Sequence, residues 1–206
     1  MTTEILISKG ERTRQTIQEV AYKLFLEQGY SATSMRQIAK RAGIALGGIY
    51  NHFKSKDEIF EAIIIDEHPY KKILPGILAA EGETAEEFLQ NAMKYVIEEL
   101  GDDPHYFNLM LIEIVEFRGK HGAALLKEIV PNTLPVVERI IKSRKEFRVV
   151  NPGLLMRSFM GFIVSYYLTE MLMADSVISK LMPKNSAEAY VDIFLNGILK
   201  QGRGDV

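Results

Sequence analysis

Residues 32–60 read ATSMRQIAKRAGIALGGIYNHFKSKDEIF, and the spacing inside this stretch sets the reading of everything around it. Thr33 or Ser34 can cap a short helix, and Gln37 stands three residues after Ser34 as in a capping box. That helix is predicted to end near Arg41. A four-residue turn containing Gly43 then leads to a third short helix, roughly Ala45 to His52. Two helices that cross closely need a small residue at the crossing, which Ala39 supplies. The turn needs a residue that tolerates φ > 0, which Gly43 supplies. The second helix needs an apolar residue facing back, which Ile49 supplies, while Ile38, Ile44 and Phe53 complete a small core. Such a unit can present the outer face of its second helix to a DNA major groove. Short helical pairs with glycine turns are common, so the pattern by itself is moderately specific.

Working outward, Ile17, Val20, Ala21, Leu24 and Phe25 form one apolar helical face that stops at Gly29. Downstream, Ser55-Lys56-Asp57-Glu58 reads as a second capping box. It opens a helix that buries Ile59, Phe60, Ile63 and Ile64. Pro69 and Pro75 are expected to break or bend the next stretch. Further helices are predicted over Thr84–Leu100, Pro104–Phe117, Ala123–Val130, Leu134–Phe147, Pro152–Ala174 and Ala187–Gln201, with Pro131 and Pro135 as mid-body breaks. No alternating run bounded by hairpin turns appears, and no internal repeat. The fold class is therefore all-α: a three-helix helix-turn-helix domain followed by a larger helical domain.

Composition narrows the function. Apolar residues make up 47% of the 206 and charged residues 25%, an ordinary globular balance. There is no cysteine, which excludes disulfides, thiolate metal sites and a cysteine nucleophile. The opening MTTEILISKGER lacks the basic start and apolar run of a secretory signal, so a cytoplasmic location is expected. The most apolar stretch, Leu154 to Ala174, carries Arg157 and Glu170. The uncharged part between them, Ser158 to Thr169, is only 12 residues long, well short of a span of about 20. It reads as a buried core helix, so no membrane association is expected. The net charge of −2 hides an asymmetry: residues 1–56 carry nine Lys/Arg against four Glu, a net of +5, and the remainder carries −7. A basic head on an acidic body suits a polyanionic partner for the head, though solvated faces can produce the same split. Enzyme signatures are missing. His52, His68, His105 and His121 are scattered, and no HExxH, GxSxG, phosphate loop or GxGxxG after a strand is present. No enzyme activity, cofactor or metal is expected.

Taken together, residues 32–60 closely resemble the DNA-binding domain of the tetracycline-repressor-like (TetR/AcrR) family. The resemblance starts upstream with Ala21, Leu24, Phe25 and Gly29-Tyr30, covers roughly the first 60 residues, and is densest at Ile38-Ala39, Ala42-Gly43, Gly47, Tyr50, His52-Phe53 and Lys56. It implies a DNA-binding domain over 1–56 and a ligand-binding and dimerisation domain over 57–206. By position it implies that Thr33 and Ser34 place a hydroxyl and backbone N–H groups on a phosphate. Arg36 would reach a base edge or a neighbouring phosphate. Gly47 would permit close approach to the groove, Tyr50, Asn51 and His52 would contact DNA, and Lys56 would sit on a phosphate. This chain departs from the family where Ala45 stands in place of a capping Ser or Thr, and where Leu46 and Gly48 replace polar residues. Leu46 would suit a thymine methyl, which leaves Arg36 and DNA shape with more of the specificity.

In the body, two features stand out. The last helix carries a stripe of Ala187, Tyr190, Val191, Phe194, Leu195, Ile198 and Leu199, and the preceding helix is apolar nearly all round with small residues at Gly161, Ser165 and Thr169. Such helices can form a four-helix homodimer interface, with Phe162, Ser165, Thr169, Tyr190, Val191, Phe194, Leu195 and Ile198 as its candidate residues; an intrachain core is the alternative. The family also implies a pocket for a small hydrophobic or amphipathic effector. Candidate lining residues are Met93, Phe107, Met110, Glu113, Phe117, Met156, Phe159, Met160, Tyr166 and Tyr167, the methionines being suited to irregular space. Plain core is the alternative for each aromatic and methionine. Glu116 and Arg118 join Glu113 as polar groups for such a pocket, or form surface salt links.

Overall fold

The computed structural model describes residues 8–101, 105–143, 145–146, 151–173, 176–182 and 186–198. Its regular structure among these residues is helical, with no strand among them. In chain order the helices are α1 (Lys9–Gln28), α2 (Met35–Arg41), α3 (Leu46–Ile49), α4 (Lys56–Asp66), α5 (Tyr70–Ala79), α6 (Ala85–Gly101), α7 (His105–Phe117), α8 (Gly122–Lys142), α9 (Pro152–Met173) and α10 (Ser186–Ile198), with a 3₁₀ turn at Ile178–Leu181. The predicted helix ends at Pro104, Phe147, Ala174 and Gln201 lie outside the described residues.

The chain divides into two compact units, one comprising residues 1–68 with 108–128 and the other residues 69–107 with 129–206. The boundary expected after residue 56 thus falls inside the first unit. The reason is the apolar face of α4: Ile59, Phe60, Ile63 and Ile64 are buried, as are Ile17, Ala21, Leu24 and Phe25 of α1. Cutting before α4 would expose both faces, each large side chain being worth about 1.5–3 kcal/mol when buried.

In the second unit, α6 is the central strut. Phe88, Leu89, Ala92, Met93 and Ile97 cluster with Leu155 of α9 and Val191 and Leu195 of α10. Val96 and Leu100 cluster with Ile163. The Tyr167 hydroxyl donates to the Ile97 carbonyl at 2.6 Å. Arg139 donates to the carbonyls of Ala80 and Gly82 at 2.9 and 3.0 Å, with its guanidinium over the Phe88 ring.

The prolines correct one expectation. Pro131 and Pro135 lie inside a continuous α8, in place of the two helices predicted there, and Pro75 lies inside α5, which begins just after Pro69. The spacing explains the tolerance. Lys127, Pro131 and Pro135 recur every four residues on one exposed face, so the carbonyls deprived of an intrahelical N–H face water instead of core.

Gly76 is fixed by packing: a Cβ built there would run into the Tyr95 ring. Gly76→Ala should therefore lower stability by about 1–3 kcal/mol in a urea melt. Tyr95→Ala should absorb most of that loss in the double variant, whereas simple additivity would refute the steric clash as the cause.

Candidate nucleic-acid interface

The first unit builds an outward face from a small core. The Ser34 hydroxyl accepts from the Gln37 N–H at 3.3 Å, and the Gln37 carboxamide oxygen accepts from the Ser34 N–H at 2.8 Å, closing the predicted capping box. Ile38 and Ala39 are buried beneath α2. Gly43 takes φ +70°, as the turn requires, and the Ile44 N–H donates back to the Ala39 carbonyl at 3.0 Å. α3 is shorter than predicted. Ala45 offers no side-chain cap and Gly47-Gly48 disfavour helix, so α-geometry covers Leu46–Ile49. Bonds from Asn51 to Gly48 and from His52 to Ile49 continue the coil as tighter turns. Ile49 and Phe53 are buried on its inner side, whereas Leu46 and Tyr50 are 41% and 51% exposed and Ala45, Gly47 and Asn51 are open to solvent. Arg36 and Lys40 are exposed on α2. Arg41 pairs bidentately with Glu27, and this hydrogen-bonded contact holds the Glu27 carboxyl below the usual range.

Two of the expected phosphate contacts are placed differently. Thr33 is 2% exposed. Its hydroxyl donates to the Gly29 carbonyl at 2.9 Å and accepts from Gln28 Nε2 at 3.0 Å, and its N–H donates to Tyr30 O. It therefore braces the α1–α2 loop and has no free hydroxyl for a phosphate. Lys56 Nζ donates to the carbonyls of Tyr30 and Thr33, both at 2.6 Å, and lies 3.9 Å from the Tyr30 ring centroid. Burial lowers its pKa below the ordinary lysine value, with Glu116 opposing. At the start of α4, Ser55 caps Glu58 N–H as predicted, but the Glu58 carboxylate reaches Lys54 N–H at 2.7 Å.

Arg14 enters the sequence reading only as one of the basic residues. It donates to the His52 carbonyl at 2.9 Å and covers the Phe53 ring at 4.0 Å. A signal for this is present in the chain: Arg14 precedes Ile17 by one helical turn, on the same stripe that buries Ala21 and Leu24.

Glu113 and Phe117, named from the sequence as effector-pocket candidates, also belong to this unit. Phe117 stacks on Phe60 at 4.6 Å and meets Tyr30 edge-on at 4.5 Å. Glu113 and His121 are both buried. Glu113 accepts from the His121 N–H at 2.8 Å and lies 2.7 Å from Nδ1. His121 Nε2, which makes no hydrogen bond, faces Asp57 at 3.5 Å, and Lys120 binds both Asp57 oxygens at 2.8–2.9 Å. Burial pushes the Asp57 carboxyl up, but Lys120 and His121 outweigh it and hold the pKa below the ordinary aspartate value. Burial, with Asp57 and Glu116 adding to it, pushes the Tyr30 phenol up to about 12. Glu116 accepts from the Ser31 hydroxyl at 2.6 Å. The first turn of α4 and the α7–α8 turn are thereby joined through ionic and aromatic contacts.

The remaining candidates from the sequence lie in the second unit, apart from Met110 on α7. Met93 is fully buried in the α6 core. Phe107 stacks on Tyr167 at 4.9 Å, Phe159 and Tyr166 pack against the α6–α10 core, and Met156 and Met160 are 38% and 46% exposed. A cleft of about 390 Å³ beside α6 and α10 is lined by Gln90, Asn91, Lys94, Ile97, Glu98, Ala187, Glu188 and Val191, and by none of the expected pocket residues. Of the dimer candidates, Val191 and Leu195 are intrachain core because they face α6. Phe162, Tyr190 and Phe194 form the α9–α10 seam, with Phe162 stacked on Tyr190 at 4.4 Å. Ser165 and Thr169 are exposed. The Ile198 side chain lies outside the described residues. Apolar residues that the sequence reading misses share this outward surface: Leu168, Leu172 and Ile193 are 37%, 70% and 70% exposed.

An outward short helix, a glycine turn and a bracing helix beneath them, in the basic part of the chain, make a helix-turn-helix head of the DNA-binding class. Comparison with known proteins agrees. The sequence model of the family described as "Bacterial regulatory proteins, tetR family" matches residues 17–63. The HTH-type transcriptional regulator AcrR of Shigella flexneri is 49% identical over 55 residues, 27% of this chain and 26% of AcrR. The chain's match thus spans about a quarter of that curated relative. Among solved structures, the fold resembles NalD of Pseudomonas aeruginosa, described as the secondary repressor of the MexAB-OprM multidrug efflux pump (TM-score 0.67, 20% identity, 94% of this chain and 100% of NalD). It also resembles SmeT in its triclosan complex (TM-score 0.65, 20% identity, 93% of each chain), SmeT being the repressor of the Stenotrophomonas maltophilia multidrug efflux pump SmeDEF. The likeness in sequence to tetR-family regulators is thus confined to the N-terminal segment, and the likeness in fold extends over most of the chain.

Two outcomes test the buried cluster. Glu113→Ala removes one member of a buried hydrogen-bonded pair and should cost about 3–5 kcal/mol in a urea melt. Asp57 contributes stability that is complete above its unfolded value of 3.8 and lost as pH falls through the lower folded value. Asp57→Asn should therefore flatten the acid limb of the stability curve below about pH 4; an unchanged limb would show that Asp57 is not held by Lys120 and His121.

Proposed function

We propose that this protein is a ligand-responsive transcriptional repressor that binds a pseudo-palindromic operator as a homodimer and is released by a small hydrophobic or amphipathic molecule. The observation that carries the reading is the exposed face of α2 and α3, with Arg36, Leu46, Gly47 and Tyr50 outward and Ile49 holding it from behind. On this reading Arg36 reads a base edge or phosphate, Leu46 touches a thymine methyl, and Ser34, Ala45, Gly47, Tyr50, Asn51 and His52 line the duplex.

A palindrome needs two heads. The surface suited to pairing them is the outward side of α9 and α10, where Ser165 and Thr169 lie with Leu168, Leu172 and Ile193. Exposed apolar area of this kind, broken by small residues, suits close approach of two copies. Half-sites would lie about one helical turn of DNA apart or a multiple of it, ~34–36 Å per turn.

The effector reading is supported by the relatives: SmeT is known in a triclosan complex. Candidate effector residues in the second unit are Phe107, Met156, Phe159, Met160, Tyr166 and Tyr167. An effector acts only through its different affinity for the operator-bound and released states.

Selection of duplexes from a random pool should return a pseudo-palindromic consensus whose binding weakens steeply with salt. Titration of that complex with amphipathic aromatic compounds such as triclosan should release it. Selection without any consensus would sink the operator reading, and an operator complex indifferent to every compound would leave a regulator without a ligand.

A further inference from the structure

We infer that Arg14 and Lys56 are positioning residues for the DNA-reading face, each holding one end of the helix-turn-helix by its main-chain carbonyls, and are not ligands of the phosphate backbone. The functional weight of this inference rests on the DNA-binding reading above; its structural part stands on the geometry.

The helix-turn-helix is entered at Thr33 and left at His52-Phe53. At the entry, Lys56 Nζ bonds both Tyr30 O and Thr33 O at 2.6 Å and packs on the Tyr30 ring at 3.9 Å. At the exit, Arg14 Nη1 bonds His52 O at 2.9 Å and its guanidinium covers the Phe53 ring at 4.0 Å. The two sites share one construction: a half-buried cation from a flanking helix, α4 or α1, with carbonyls at its N–H groups and an aromatic face beneath it. Charge-assisted hydrogen bonds of this kind are the strong ones. An ammonium has three donors; with two committed and a ring packed alongside, moving Lys56 onto a phosphate would undo the loop that sets the start of α2. Arg14 commits one of its guanidinium N–H groups to His52 O and a face of the guanidinium to the Phe53 ring, so moving it onto a phosphate would release the end of α3.

The arrangement suits the sequence. α3 is four residues long, contains two glycines and has no side-chain cap. It cannot hold its own direction, so restraint must come from outside it. Among residues 9–56, Lys9, Arg12, Lys23, Arg36, Lys40 and Lys54 are exposed and remain available to a polyanion.

The test uses the full chain and a duplex from the selection, with affinity measured across a range of salt for wild type, Lys56→Met, Lys56→Arg, Arg14→Met and Arg14→Lys. Each Met variant should weaken binding roughly tenfold, about the worth of one charge-assisted hydrogen bond, while the slope of log K against log salt stays at the wild-type value. The Arg and Lys variants should recover most of the affinity. Removing a phosphate ligand would instead flatten the slope by about 0.9 for each phosphate no longer neutralised, and that result would overturn the inference.

Amide hydrogen exchange on the free protein supplies a readout without DNA. Lys56→Met should speed exchange in residues 30–38 and Arg14→Met in residues 49–54, with α6 unchanged. Unchanged exchange at both ends would overturn the inference as well. If wild type binds no duplex, the DNA reading fails, and the exchange measurement still decides whether these cations hold the frame.

Discussion

Ile49 makes the contact on which the reading face depends. A four-residue helix holding Gly47 and Gly48 has too few hydrogen bonds to offset its own ordering entropy. It persists because Ile49 is fully buried and Phe53, one turn on, follows it inward. With these two turned in, helical geometry turns Leu46 and Tyr50 out. Ala39 allows the close crossing and Gly43 the reversal between the helices. The outward surface is thus a by-product of satisfying a small apolar core, and its angle is as good as the restraints at its two ends.

Those restraints are electrostatic, and they change how the basic residues of the head should be counted. A positive head suggests cations waiting for a polyanion. In the structure Arg41 is paired with Glu27, while Arg14 and Lys56 are committed to carbonyls. The general lesson is that a cation packed on an aromatic ring and near orphan carbonyls serves the backbone first. Charge asymmetry can identify the class of partner without identifying the contacts.

The head is also larger than its motif. Phe117, Glu113 and His121 join Tyr30, Phe60 and Asp57, so a segment some fifty residues downstream completes the core beneath the first turn of α4. Glu113 and Phe117 are both engaged in that cluster. On a helical wheel they read as an acid and an aromatic on an apolar helix, and nothing local distinguishes a pocket wall from a core. Arg14 differs, since its place on the buried stripe of α1 is legible in the chain.

Sequence alone determined the helical class, the capping box at Ser34, the N-cap at Ser55, the positive φ at Gly43, the inward Ile49 and the outward Leu46 and Tyr50. These follow from steric rules and from a 3.6-residue period acting within one turn or two, so the information is local. Only tertiary structure decided that α8 runs through Pro131 and Pro135, that Thr33 and Lys56 face inward, that Val191 and Leu195 belong to the α6 core while Leu168, Leu172 and Ile193 stay outside, and that α4 packs with α1. Each of those outcomes depends on which partner a surface meets. Solvent beside one proline face, a carbonyl beside one ammonium and a neighbouring helix beside one stripe bring together groups far apart in the chain, and no periodicity encodes them.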